Sequence, residues 1–286
     1  MDPGRASRLA RFLMGALLGL ALSPALLACT PPPKPPAPER LRVIVPPSAA
    51  PLLAALSERY HAHRSYMTVE TSERNAAGAL EAVATGEADL AFIERTLDPA
   101  EALDPETTRP RLRAWPVGTG AIAIIVNAAN PVANLSLDQV RRAFAGVETQ
   151  WANLGGEDLT LRLVSREAGA PLRECIEQQA LRGGTIAGTA IVMPSDEAVA
   201  GYVATHPEAI GYVGASWVGD GVKALTIDAA PCEPAAVASG AYPLTYPLVI
   251  VTPTAISGKA KDLIDFVYGP EGRAILGEGY AMVEGN

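Results

Sequence analysis

The chain has 286 residues, 49% of them apolar and 19% charged, enough for one or two packed domains and too apolar to remain disordered throughout. Its formal net charge of −8 at pH 7 argues against nucleic acid as a partner and supplies no long-range attraction for anions.

The N-terminus reads as an export signal. Arg5, Arg8 and Arg11 form a positive region, Phe12 to Ala25 are mostly apolar, and Leu26-Leu27-Ala28-Cys29 is a lipobox. The apolar run is broken by Ser23 and Pro24 and falls short of the roughly 20 residues a spanning helix needs. Residues 1–28 are therefore expected to be a signal peptide and Cys29 to be acylated, anchoring the protein in a bilayer on the extracytoplasmic side of a bacterial membrane. Residues 1–28 hold three arginines and one aspartate, so their removal leaves a formal charge of about −10. They precede residues 29–40, the acylated Cys29 plus a proline-rich tether whose polyproline II preference gives it a reach of roughly 30 Å. Cys175 and Cys232 would then lie in an oxidising space, but their spacing does not specify a bridge, and two free thiols are the plainer expectation.

Beyond the tether, strands and helices alternate. Leu41 to Val45 reads as a strand, Ala49 to His61 as a helix behind Ser48, Met67 to Glu70 as a strand, Ala76 to Thr85 as a helix and Leu90 to Ile93 as a strand, a βαβαβ unit with a parallel sheet. Ala121 to Val126 is apolar without alternation, as in a strand buried on both faces. Ser136 caps a helix from Leu137 to Ala145 that stops at Gly146. Strand Leu161 to Val164 and a helix from Pro171 to Ala180 follow, then a helix Asp196 to Thr205 capped by Ser195. Ile210 to Val213, Val222 to Ile227 and Leu248 to Thr252 read as strands, with closing helices Gly258 to Tyr268 and Pro270 to Leu276. No internal repeat or long linker divides this body.

Several segments carry a resemblance. LVSREAGAPLRE, residues 163–174, runs from a strand into a helix start. AIAIIVNAANPVANLSLDQVRRAFAG, then Trp151 to Gly156, EAIGYVGASWV, VASGAYPLTYPLVIVT and DFVYGPEGRAIL follow one another in register. In order and spacing these resemble PstS-type phosphate-binding proteins, the solute receptors of phosphate ABC importers, from about Leu41 to Val283. The resemblance implies an α/β, type II periplasmic-binding-protein fold. Two α/β lobes, 41–118 with 222–286 and 119–221, would be joined by crossing strands, with a ligand cleft between them that closes by hinge motion. It also implies an ABC importer permease as partner.

Carried over loop by loop, the ligand residues are altered. The usual Gly-Ser-Thr-Thr aligns with Val45-Pro46-Pro47-Ser48, where only Ser48 keeps a hydroxyl and two prolines lack an amide donor; Ser48 reads equally as a helix cap. Glu73 and Glu94 stand where the family places serines, Arg95 is retained, and Ala170-Pro171-Leu172 replace Ser-Gly-Thr ahead of the retained Arg173. The candidate ligand residues are thus Ser48, Glu73, Glu94, Arg95 and Arg173. A lost hydroxyl donor to an anion forfeits about 1.5 to 3 kcal/mol, and a carboxylate ~4 Å from an anion adds repulsion on the order of 4 kcal/mol. Tight phosphate binding is not expected from these loops. Three readings stand: a receptor for a zwitterion or another polar solute carrying a cationic group; a weakened receptor for phosphate or another oxyanion; and a scaffold in a surface complex, with Glu73–Arg95 and Glu94–Arg173 salt bridges filling the cleft.

No cofactor, metal or enzyme activity is expected. The chain has no G-x-S-x-G, Walker or G-x-G-x-x-G motif. His61 and His63 are two apart at a helix end and face different sides. Trp115, Trp151 and Trp217 fit a cleft or a core equally well.

Overall fold

The structure is a computed structural model and describes residues 38–107 and 111–282. The expected signal peptide, Cys29 and residues 30–37 of the tether lie outside the described residues. The tether's last two residues, Glu39 and Arg40, instead open the first strand.

Strand β1 (Glu39–Val45) leads through a 3-10 turn, Pro47–Ala49, into helix α1 (Ala50–His63), then β2 (Met67–Glu73), α2 (Ala76–Ala84) and β3 (Leu90–Ile93). β1 is parallel to both β2 and β3, so the predicted βαβαβ unit is formed. Sixteen residues make up β4 (Leu112–Asn127), followed by β5 (Asn134–Leu135) and α3 (Leu137–Phe144). The chain continues with β6 (Arg162–Arg166), α4 (Pro171–Gln179), β7 (Ile191–Met193), α5 (Asp196–Thr205) and β8 (Ala209–Gly214). It closes with β9 (Val222–Ala224), β10 (Thr226–Ile227), α6 (Pro234–Ala238), β11 (Thr245–Pro253), α7 (Gly258–Tyr268), α8 (Pro270–Gly277) and β12 (Tyr280–Met282).

One sheet runs in the order β2-β1-β3-β11-β4-β8-β6-β7, with β9 and β12 also paired to β4. β4 changes partner along its length. Leu112 to Ala121 lie antiparallel to β11, and Ile122 to Val126 lie antiparallel to β8. Its second half is buried without a break, because the sheet continues on both sides and is covered on both faces. Leu80 and Val83 of α2 pack with Ile44, Ile93 and Val251, while Val199 and Val203 of α5 pack with Ala123, Ile125 and Val213.

Local signals explain the helix ends. Ser136 forms a full capping box with Gln139, Ser195 accepts the Ala198 amide, and Gly146 adopts φ +73 just beyond α3, where an L side chain would be strained. Two expectations are corrected. Ser48 is not a cap: it sits inside the 3-10 turn that Pro46 and Pro47 initiate, and α1 starts at Ala50 with no side-chain cap. Val222 to Ile227 is not one strand. Leu225 is fully buried and its amide bonds Ile124 O at 2.8 Å; the chain then leaves β4, and β10 pairs with β5 in a separate parallel ribbon.

Candidate functional site

The ends of β1, β3 and β6 and the starts of α2, α4 and α5 converge on a cavity of about 360 Å³. One wall is Pro46, Pro47 and Ser48; another is Glu73, Arg74 and Asn75; the loop from Glu167 to Leu172 and Pro194 close it, with Glu94 and Arg166 beneath. Several positions on these walls offer an anion no free amide. Pro46, Pro47 and Pro171 have none, Ala170 donates its amide to Glu167 O at 3.2 Å, and the Asn75 side chain takes the Gly78 amide at the head of α2.

Glu94 follows β3 directly and is 2% exposed. Its Oε1 accepts the hydroxyl of Ser48, which is equally buried. As a cap the Ser48 oxygen would accept a backbone N–H; here its O–H instead donates to a buried carboxyl, which would otherwise lack that partner. Burial is the main cause that pushes the Glu94 carboxyl up to about 8; Asp196 adds to the shift, against the Ser48 bond and Arg166.

Arg166 is the cation of the cavity floor. Its guanidinium contacts Asp196, donates to Glu167 at 3.1 Å and donates to Pro194 O at 3.1 Å. Burial works against its charge, but Glu167 and Asp196 outweigh that and hold it above the ordinary arginine range. Asp196 is fully buried, and its Oδ2 accepts the Gly214 amide at 3.0 Å. Burial raises Asp196 above the usual carboxylate range, opposed by the Gly214 amide and by Arg166. Tyr212 tightens the same floor, sharing a hydrogen bond with Ser165 at 2.9 Å and accepting the Arg166 amide at 3.2 Å. From the opposite side, Ser216 donates to Ser48 O at 3.1 Å and Trp217 to Pro47 O at 3.3 Å.

Of the candidate ligand residues, Ser48, Glu73 and Glu94 line this cavity. Arg95 and Arg173 are not among its lining residues. Arg95 makes two 2.7 Å bonds to Glu101, and Arg173 bonds Glu177 at 3.0 Å, one helical turn on, and Arg166 O at 2.9 Å. The Glu73–Arg95 and Glu94–Arg173 pairs are therefore not formed. Each arginine has a carboxylate within six residues, so the local partner prevails. The cavity's guanidiniums belong instead to Arg74, which turns away to Glu87, and to Arg166. Arg166 was visible in the LVSREAGAPLRE segment; Asp196 was not, since an acid in the first turn of a helix is ordinary.

The remaining candidates have structural partners. Trp151 is fully buried and donates to Glu208 O at 2.8 Å, and Trp115 donates to Thr252 at 3.0 Å beneath the Arg113 guanidinium. His61 meets Met67 O and His63 meets Glu271, each at 2.9 Å. Cys175 and Cys232 are free, and burial pushes both thiols up to about 11. Among the described residues no group of three or more acidic, histidine or cysteine side chains is placed to hold a metal, and no helix is long and apolar enough to cross a membrane.

Strands that end in loops around a polar cavity, with helices starting from those loops, define a class of binding protein. A family model described as a PBP superfamily domain matches residues 32–271, and the chain belongs to that superfamily. Within it the similarity is to PstS-type proteins. The phosphate-binding protein PstS of Bacillus subtilis (strain 168) is 27% identical over 218 residues, 76% of this chain and 71% of that one. A putative phosphate ABC transporter substrate-binding protein from Clostridium perfringens, solved with bound phosphate, matches with a TM-score of 0.78 at 23% identity, over 86% of this chain and 100% of the other. An ABC-type phosphate transport receptor from Vibrio cholerae matches with a TM-score of 0.66 at 25% identity, over 85% and 100%. The resemblance read from the motifs is borne out, and the fold class with it.

Proposed function

We propose that this protein is a solute-binding receptor of the bacterial cell envelope whose cavity takes a small polar solute other than the phosphate dianion. Glu94 carries the reading: a buried carboxyl that occupies the Ser48 hydroxyl and faces a cavity with prolines at positions where amide donors would serve an anion. A desolvated dianion needs many donors, and here both guanidiniums already have carboxylate partners. The test is calorimetry and thermal shift with inorganic phosphate beside a panel of neutral, zwitterionic and cationic solutes. Micromolar or tighter phosphate binding with a clear rise in melting temperature sinks the reading.

A weakened phosphate site is the second reading, favoured by Glu94 itself, since a carboxyl held protonated can donate to an anion. The anchoring proposal rests on the Leu26-Leu27-Ala28-Cys29 lipobox, and Cys29→Ala is expected to move the protein out of the membrane fraction. Segments 41–118 with 222–286 and 119–221 are taken as the two lobes, closing on the solute and presenting it to an ABC importer permease. β4, shared between the β11 and β8 sides of the sheet, supports that division.

A further inference from the structure

Glu94 has a second carboxylate oxygen. Oε1 is engaged by Ser48, whereas Oε2 has no hydrogen-bond partner among the described residues, and the side chain is 2% exposed while lining the cavity. Oε2 is open to the cavity rather than sealed from it, and in the ionised form it is an acceptor that a ligand donor entering the cavity can reach. The charges around it have one sign in excess. Glu73, Glu94 and Glu167 line the cavity, and its two arginines bring Glu87 and Asp196 with them. Among the described residues no aromatic ring lines it, so they provide no stacking cage of the kind that favours quaternary ammonium. Pro46, Pro47, Ala170, Pro171, Leu172 and Pro194 provide short apolar walls suited to methylene groups.

We infer that the cavity is built for a compact organic cation with N–H donors, a primary or secondary ammonium on a short carbon chain, whose nitrogen donates to Glu94 Oε2. The inference rests on the proposed solute-receptor reading and names the solute class for the same cavity.

A proton accompanies this binding. In the empty cavity the Glu94 carboxyl is held protonated up to about 8. When an ammonium enters, the carboxyl gives its proton to the buffer and becomes the anion that accepts the ligand's N–H. Affinity must then rise with pH up to that point, whereas an anion accepting a hydrogen bond from protonated Glu94 must bind more weakly as pH rises. The groups facing Glu94 do not reverse this sign. Cys175 on α4, Tyr246 on β11 and Tyr280 on β12 are all shifted upward by burial and stay neutral, Arg166 on β6 stays cationic, and Asp196 on α5 retains Arg166 and the Gly214 amide.

The test uses the purified full chain and its Glu94→Gln variant, titrated calorimetrically with ethanolamine, putrescine, choline, glycerol and inorganic phosphate at several pH values from 6 to 8.5. Both primary amines, with pKa values near the ~10 of a lysine side chain, keep their charge in this range. The expected result is binding of ethanolamine or putrescine that strengthens up to ~tenfold per pH unit below about 8. Proton release should appear as a buffer-dependent heat, affinity should fall at least ~tenfold in Glu94→Gln, and choline should not compete. Amine binding that ignores both pH and Glu94→Gln overturns the inference. Binding of glycerol in place of the amines also overturns it but leaves the receptor reading intact. Phosphate binding that weakens with pH overturns it in favour of the protonated-carboxyl site, and a melting temperature unmoved by every probe overturns both.

Discussion

Arg166 and Asp196, 30 residues apart in the chain, meet as an ion pair whose side chains are 8% and 0% exposed. Asp196 also takes the Gly214 amide, so one carboxylate joins β6, α5 and the end of β8 under the cavity. Removing one partner leaves the other charge buried. Asp196→Ala is expected to destabilise the protein by about 3 to 5 kcal/mol, read from urea unfolding. Adding Arg166→Met should recover much of that loss, since the double variant has no uncompensated ion. Additive losses would show that the pair is not energetically coupled.

Glu94 gives a pH dependence whose sign follows from its upward shift. Between 4.5, its ordinary value, and about 8, the folded state holds a proton that the unfolded chain has released. The unfolded state therefore binds fewer protons, and stability falls as pH rises through this window, by at most about 1.4 kcal/mol per pH unit. Asp196, also raised by burial, acts in the same direction, whereas Asp89 and Glu101 are lowered and lose their contribution in acid. The wild-type minus Glu94→Gln difference in unfolding free energy isolates Glu94. It should slope between pH 5 and 8 and favour the variant at the alkaline end, whereas a flat difference would mean that Glu94 titrates normally.

The elements were legible because their signals are local. Ser136, Ser195 and Gly146 mark helix ends that the fold keeps, and Leu90 to Ile93 and Gly258 to Tyr268 fall where the periodicity puts them. β5, β7, α6 and β12 were not seen, being two to five residues long and defined by partners distant in sequence. The site was half legible for the same reason. Ser48, Glu73 and Glu94 could be placed because each ends or follows a recognisable strand, but Arg95 and Arg173 look like ligand residues until Glu101 and Glu177 are seen to hold them. Which way an arginine turns depends on contacts that alignment does not carry.

Gly120 lies under the ring of Tyr246, which occupies the space a Cβ would need. The obstruction is an aromatic ring that is 1% exposed and hydrogen-bonded to Tyr280 at 3.2 Å, so it cannot swing aside cheaply. Gly120→Ala should therefore cost about 1 to 3 kcal/mol by overpacking, visible as a lower melting temperature. Tyr246→Leu in the same chain should relieve part of it. If Gly120→Ala alone melts unchanged, the sheet at β4 and β11 yields more readily than this packing implies.

The loops themselves can be tested by restoring what an anion needs. Pro171 occupies the first position of α4, where a helix would otherwise offer an unpaired amide beside its positive dipole end. Glu94 holds the Ser48 hydroxyl and adds a carboxyl to the cavity. Pro171→Gly together with Glu94→Ser frees one amide and one hydroxyl and removes a charge. Each recovered donor to an anion contributes about 1.5 to 3 kcal/mol, so phosphate affinity at pH 8 should rise by roughly a hundredfold or more over wild type. Pro171→Gly alone should gain far less, because the Glu94 carboxylate still faces the anion. Calorimetry on the three proteins decides the point. A double variant that binds phosphate no better than wild type would mean that these two loops do not set the ligand, and that the Arg166–Asp196 and Arg74–Glu87 pairs alone already withhold the positive charge an oxyanion requires.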